Sequence, residues 1–395
     1  SKFRYLYIMI HVLYHRFYQN FAKLSLSNIK LYSKKLTFKN MRLESTLDQP
    51  RRSYQTNVAE KSVDLHHVPV LVDAVLEYLD PKPGQTIVDM TFGAGGHTKR
   101  ILNSSSDIKI YALDRDPVAH NFAKELAKEY PGQVVPLLGR FSELPSLLKD
   151  HEVKQGTVDS FLFDFGCSSM QFDVADRGFA VSKDGPLDMR MDGFRCPETP
   201  TAADVLARAD EEDLARILKI YGDEKLAKKI ARAIIEVRYS FKKLETTQEL
   251  AELVDTVCGG DQRKDQLGRH ASMATKTFQA LRIFVNNELN EINYGMNIAE
   301  KYLKLGGRLI TIAFHSLEDT IVKRHISGNV SEYRANILPL RYSSHGICLQ
   351  DSEVEYVMHS PWEMLHKHVI VPSEEEVLSN PRSRSAKLRA AICVK

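Results

Sequence analysis

The chain has 395 residues, 43% hydrophobic and 27% charged, with a net charge of +3; it can bury a sizeable core, and at roughly 100–200 residues per domain it holds two to three units. A charge this close to balance carries no general sign of nucleic-acid binding, so any basic surface has to be local. The five cysteines (167, 196, 258, 348 and 393) form no C-x-x-C pair, which argues for a reducing compartment and against a zinc site or disulfide framework, and no unbroken apolar run reaches the roughly 18 residues of a membrane span.

Residues 1–43 lack Asp and Glu but hold nine Lys or Arg, interleaved with Ser, Tyr and Leu. That composition reads as a mitochondrial targeting segment. A secretory signal built on the short apolar patch near the start, and a plain basic tail, are the other readings. Residues 1–60 are set aside from the fold. Leu71 to Leu79 carries apolar residues at helical spacing and is stopped by Pro81, Pro83 and Gly84.

Thr86 to Met90 is a short β-branched apolar run, suited to a buried parallel strand. It carries Asp89, then enters Gly93-Ala94-Gly95-Gly96 and a helix from His97. Strand, glycine turn and helix bring bare backbone up to a nucleotide at the carboxyl edge of a parallel sheet. The next strand, from Ile108, ends on Asp114, 21 residues after Gly93. An acid at that spacing suits ribose hydroxyls. Position 98 is Thr98, so the dinucleotide pattern G-x-G-x-x-G is not met. An adenosine ligand without phosphates, of which S-adenosylmethionine is the common one, fits better. A glycine turn with no such ligand is the plainer reading.

Asp116-Pro117 opens a helix to about Tyr130, and a third strand spans 133–138. A short helix follows at 144–148. The fourth strand, 158–163, ends on Asp164 and leads into Phe165-Gly166-Cys167-Ser168-Ser169-Met170-Gln171. This loop is the expected chemical locus, with Asp164, Ser168 and Ser169 as candidate catalytic residues. A carboxylate there can align an exocyclic amine and stabilise the positive charge that develops on it; otherwise it is a solvated strand-end acid. Cys167 is either a thiolate nucleophile for methylation at carbon 5 of a pyrimidine or a small loop residue in an apolar setting.

Residues 172–274 show helical spacing and no strand-like run, which reads as an inserted helical substrate-binding domain between α/β halves 61–171 and 275–395. Asp188, Arg190 and Asp192 alternate, so an extended segment could point all three one way; an ordinary loop is the alternative. A helix over 223–243 has a basic face, including Lys228 and Arg232, with Tyr239 and Phe241 among the cations. It suits phosphates and unstacked bases, or is simply a solvated face. Residues 277–298 read as one long helix. His315 follows a strand and could serve proton transfer or cap the next helix; no metal-ligand spacing accompanies it. Arg382 and Arg384 belong to a terminal basic cluster that adds weight to RNA.

Taken together, His67-Val68-Pro69-Val70, Asp89 to His97, Ala112 to Pro117, Asp164 to Gln171, Arg177-Gly178-Phe179, Asp184 to Asp192, Thr277 to Arg282, Phe314 to Asp319 and Asn380 to Arg389 resemble one family in order. It is the bacterial-type S-adenosylmethionine-dependent methyltransferases acting on N4 of a cytidine in small-subunit ribosomal RNA. With the import-like segment ahead, the chain resembles the mitochondrial branch. The resemblance implies a class I Rossmann-like α/β fold with the helical insertion, S-adenosylmethionine as cofactor, and the small ribosomal subunit of the mitochondrial matrix as partner. It implies cofactor contacts from Gly95, Gly96 and His97, from Asp114, and from Phe141, Asp164 and Gln171, to which the residue reading adds Asp89 and Gly93. Asp188, Arg190, Lys228, Arg232, His315, Arg382 and Arg384 are the RNA-side candidates. Met170 stands where the family often has proline, and 327–360 fits the family poorly. The competing functions are carbon-5 methylation through Cys167, and a ribosome-assembly factor that holds the cofactor only structurally.

Overall fold

The structure is a computed structural model, and it describes residues 69–240, 243–259, 263–264, 270–327 and 360–395. The expectations for residues 1–60, for Phe241 and for most of 327–360 lie outside the described residues.

The α/β half is built in the order the sequence pattern predicts: α1 (Val72–Leu79), β1 (Thr86–Asp89), α2 (Gly96–Ser104), β2 (Lys109–Asp114), α3 (Pro117–Glu129), β3 (Val134–Leu138), α4 (Leu144–Asp150) and β4 (Val158–Asp164). Helix α1 stops earlier than the prolines, at Asp80, whose φ is +47°. Asp116 caps α3 by accepting from Val118 N, with Pro117 in the first turn, as its short oxygen side chain favours.

After α5 (Ser169–Asp173) come four helices: α6 (Ala202–Arg208), α7 (Glu211–Gly222), α8 (Ala227–Tyr239) and α9 (Thr247–Val257). Helix α8 is shorter than the sequence suggests, because Asp223 takes φ +46° and ends α7 there. A two-residue antiparallel ladder, β5 (Arg263–Lys264) with β6 (His270–Ala271), corrects the expectation of no strand before 274; pieces this short leave no periodicity to read.

The single helix expected over 277–298 is two: α10 (Thr275–Val285) and α11 (Glu288–Tyr302). Asn287 sits at φ +51° between them, a conformation asparagine tolerates better than most residues. Asn286 is turned to other work. Its Oδ1 accepts from Met191 N at 2.7 Å and its Nδ2 donates to Met189 O at 2.7 Å, so the break pins the 188–192 segment to the helix pair.

The chain closes with β7 (Leu303–Ala313), α12 (Ser316–Ile326), β8 (Trp362–Met364), α13 (Glu374–Ser379) and β9 (Lys387–Cys393). One seven-stranded sheet results, in the order β3-β2-β1-β4-β7-β9-β8. Strands β3, β2, β1, β4 and β7 run parallel, and β9 pairs antiparallel with β7 and β8. This is an α/β Rossmann-like sheet.

Buried strands on both faces explain the near-continuous apolar runs. Val88, Tyr111, Phe161 and Phe163 belong to one core; Ile87, Ile110, Leu162 and Ile310 belong to the other. The first core continues without a break into Val205, Leu214, Ile230 and Leu250 of the four helices.

Candidate active site

A cleft of ≈ 1020 Å³ opens at the carboxyl ends of the parallel strands. The parallel order places the loops after β1, β2, β4 and β7 along that edge. The glycine loop forms one wall. Asp89, 1% exposed, accepts from Thr91 N at 3.1 Å and from Thr98 Oγ1 at 2.6 Å, and burial pushes its carboxyl pKa upward. Gly95 has φ +78°, and a Cβ there would stand 2.6 Å from the Phe92 ring. Gly93, Gly96 and His97 line the cleft, whereas Asp89 and Gly95 do not. From those positions Asp89 ties the loop down from beneath, and Gly95 lets it turn over Phe92.

Asp114 faces the cleft at the end of β2. It accepts from Gly93 N at 2.8 Å and Asp116 N at 2.9 Å, so the glycine turn is closed by the acid 21 residues later. Burial pushes its carboxyl pKa up to about 7. Gln171, 3% exposed, spans two elements: its Oε1 accepts from Ser168 N at 3.0 Å and its Nε2 donates to Asp116 Oδ2 at 2.9 Å. Arg177 donates to the same Asp116 oxygen at 2.8 Å. Ser168 uses its hydroxyl to cap α5. Phe141, Ser168, Ser169 and Gln171 all line the cleft.

The floor holds unsatisfied groups. Asp164 Oδ2 is 3.6 Å from His97 Nε2. Asp164 Oδ1 and both ring nitrogens of His97 are buried without a hydrogen-bond partner. Buried polar atoms left unpaired cost roughly 1–3 kcal/mol each. Their concentration on one cleft floor therefore marks a place where a polar ligand completes the set.

Arg282 was not among the expected site residues, although its stretch was noticed. On α10 it donates to Glu288 at 2.8 and 2.9 Å and to Cys167 Sγ at 3.3 Å, and it lies 3.8 Å from Glu318. All four side chains line the cleft. Burial pushes the Cys167 thiol up to about 11 and Glu318 up to about 7. A thiol so raised is protonated at neutral pH, the wrong state for a nucleophile.

The alternating Asp188, Arg190 and Asp192 do not share a face toward substrate. Arg190, 9% exposed, is held by Asp188 through two bonds of 2.7 Å. Asp192, 1% exposed, receives Arg115, Arg140 and Arg195. Asp188 and Arg190 are thus committed to each other rather than turned with Asp192 toward one face. Lys228 and Arg232 are exposed on α8, with Arg232 3.6 Å from Glu211. Neighbouring Arg238 is spent on Leu206 O at 2.8 Å. Arg382 lines the cleft and pairs with Asp173 at 3.2 Å; Arg384 is exposed. His315 lines the cleft and caps α12, accepting from Leu317 N at 3.3 Å. Among the described residues no group of three or more His, Cys, Asp or Glu could hold a metal, and no helix is long and apolar enough to cross a membrane.

Residues 64–393 match the model of the MraW methylase family. The chain is 62% identical over 330 residues to a Culex quinquefasciatus protein named receptor-type tyrosine-protein phosphatase mosPTP-1. The match covers 84% of this chain and only 22% of that much longer protein. It is 49% identical over 352 residues to the Mus musculus 12S rRNA N(4)-cytidine methyltransferase METTL15, covering 87% of this chain and 86% of the relative. It is 48% identical over 326 residues to the ribosomal RNA small subunit methyltransferase H of Parvibaculum lavamentivorans, covering 82% and 88%.

Proposed function

The chain belongs to the MraW methylase family, and from that premise we propose that it transfers a methyl group from S-adenosylmethionine to N4 of a cytidine in small-subunit ribosomal RNA, the 12S rRNA of mitochondria. The observation that carries this reading is the cleft floor. There Asp164 keeps an unpaired buried oxygen beside an unpaired His97, bounded by Gly93, Gly96 and Asp114.

These residues fit the cofactor. Gly96 and His97 would hold its methionine part, Asp114 its ribose, and Phe141 and Gln171 its adenine side. S-adenosylmethionine, when bound, supplies an electrophilic methyl group on a sulfonium. The protein's own task is to present the amine. Asp164 would accept a hydrogen bond from N4–H, which aims the nitrogen, stabilises the positive charge it gains as the N4–methyl bond forms and the methyl–sulfur bond breaks, and gives the N4 proton an acceptor while the neutral thioether leaves. The base must leave its stack to reach the cleft. Lys228 and Arg232 on the helical segment, which we read as an inserted RNA-side domain over 172–274, and Arg382 and Arg384 near the mouth supply phosphate contacts. The acid-free basic stretch at 1–43 supports delivery to the mitochondrial matrix.

The transfer needs no covalent RNA intermediate. Cys167→Ala is accordingly expected to keep methylation within about threefold of wild type, because a protonated thiol contributes no nucleophile. Carbon-5 chemistry would instead make this variant inactive, and rate assays on rRNA separate the two. The function itself is tested by nucleoside mass spectrometry of small-subunit rRNA from cells with and without the protein. Loss of N4-methylcytidine is expected, and an unchanged level overturns the proposal.

A further inference from the structure

We propose that His315 reads the target base, its Nε2–H donating to N3 of the cytosine while Asp164 accepts from the N4 amine. The pair would recognise the Watson–Crick edge of cytosine and reject uracil. This deepens the reading above and rests on it.

Strands β4 and β7 run parallel with Asp164 opposite Ile312, and Phe165 N donates to Ile312 O at 2.9 Å. The residues that follow both strands therefore emerge side by side, and Asp164 and His315 both line the cleft. The imidazole is held in one tautomer. Its Nδ1 accepts from Leu317 N at 3.3 Å, while Glu318 Oε2 accepts from the backbone N–H groups of Phe314 and His315 at 2.8 and 2.9 Å. A neutral imidazole whose Nδ1 is an acceptor carries its hydrogen on Nε2. Burial, with the Arg282 charge behind it, pushes the pKa of the ring down to about 4, so the neutral form prevails at neutral pH. Nε2 makes no hydrogen bond to a described residue.

Beside the unpaired His97 nitrogens, the cleft thus offers an unpaired acceptor, Asp164 Oδ1, and, from the next strand, a donor fixed on His315. Cytosine presents the complement, an amine donor at N4 beside an acceptor at N3. Uracil presents the reverse, an acceptor at O4 beside a donor at N3. A site built to hydrogen-bond one edge rejects the reversed edge strongly, because its own groups are then left unpaired.

Capping alone could explain His315, so the test separates the two roles. Asparagine is a preferred N-cap, and His315→Asn keeps an acceptor for the α12 backbone while leaving nothing where Nε2 stands. The full chain is assayed on RNA carrying cytidine or 3-deazacytidine at the methylated position. His315→Asn is expected to keep the wild-type melting temperature and cofactor affinity, and to lower kcat/KM on cytidine RNA by roughly 10–100-fold. Wild type should lose a comparable factor on the 3-deaza substrate, and His315→Asn no more on it, the signature of one shared interaction. The wild-type comparison of the two substrates stands even if the variant folds poorly. Wild-type activity in His315→Asn, or losses that multiply, overturns the inference. If wild type forms no N4-methylcytidine at all, the functional reading fails and takes this inference with it, a result distinct from an unaffected variant.

Discussion

Asp164→Asn is expected to lower the single-turnover methylation rate by roughly 10²–10³-fold, the range found when one preorganised partner of developing charge is removed. The change is nearly isosteric. It turns a carboxylate oxygen into an amide that can donate toward the amine, and it removes the negative charge that offsets the cation forming on nitrogen. The surroundings should hold, because Asp164 is fixed through its backbone: its N–H donates to Thr91 Oγ1 at 2.7 Å. Cofactor affinity, read by calorimetric titration, should change far less than the rate. An undiminished rate would remove Asp164 from the chemistry. A variant that binds RNA and supports ribosome assembly without methylating would make binding the function.

Asp192→Ala carries the largest expected loss of stability. Asp192 is 1% exposed and meets Arg115, Arg140 and Arg195. Removing one partner from buried ion pairs costs about 3–5 kcal/mol, because the remaining charges lose their compensation. Burial alone would raise the Asp192 pKa, yet the Arg115 charge and bond, with Arg140 and Arg195, hold it well below 3.8. A carboxyl depressed by folding stabilises the native state above its unfolded pKa, and that contribution is lost as pH falls through the folded value. The gap in melting temperature between wild type and Asp192→Ala should therefore be full at pH 7 and narrow only below about pH 4. A gap that is small at pH 7, or that widens on acidification, contradicts this account. Arg115 and Arg140 also line the cleft, so cofactor affinity should fall in the same variant.

The α/β half was legible because local rules and the fold agree there. A β-branched run, a glycine turn and an acid 21 residues on are short-range signals, and Asp116-Pro117 announces its helix chemically. The cleft positions of Asp114 and Asp164 were legible because each ends a strand at the edge where this topology gathers its loops. The inward turn of Asp192 had little local signal: Arg195 is near in sequence, but Arg115 and Arg140 come from 77 and 52 residues earlier, and alternation in sequence says nothing about which face tertiary charge will claim. The break at Asn286 and Asn287 was hidden for a related reason. Apolar spacing runs through it unbroken, and only the bonds from Asn286 to Met189 and Met191 reveal why the helix divides. Arg282 sits within an amphipathic helix pattern, so its burial against Glu288 and Cys167 emerges only once α10 is packed beneath the cleft.

The cleft is proposed to move a methyl group to the exocyclic amine of an rRNA cytidine. Incubating the purified chain with isotopically labelled S-adenosylmethionine, on small-subunit rRNA both naked and within assembled subunits, tests it most directly when the labelled nucleoside is then identified by mass spectrometry. Label in N4-methylcytidine, at one mapped position and absent with Asp164→Asn, is the predicted result. Label at carbon 5, or RNA binding with no label transferred to either substrate, would contradict it.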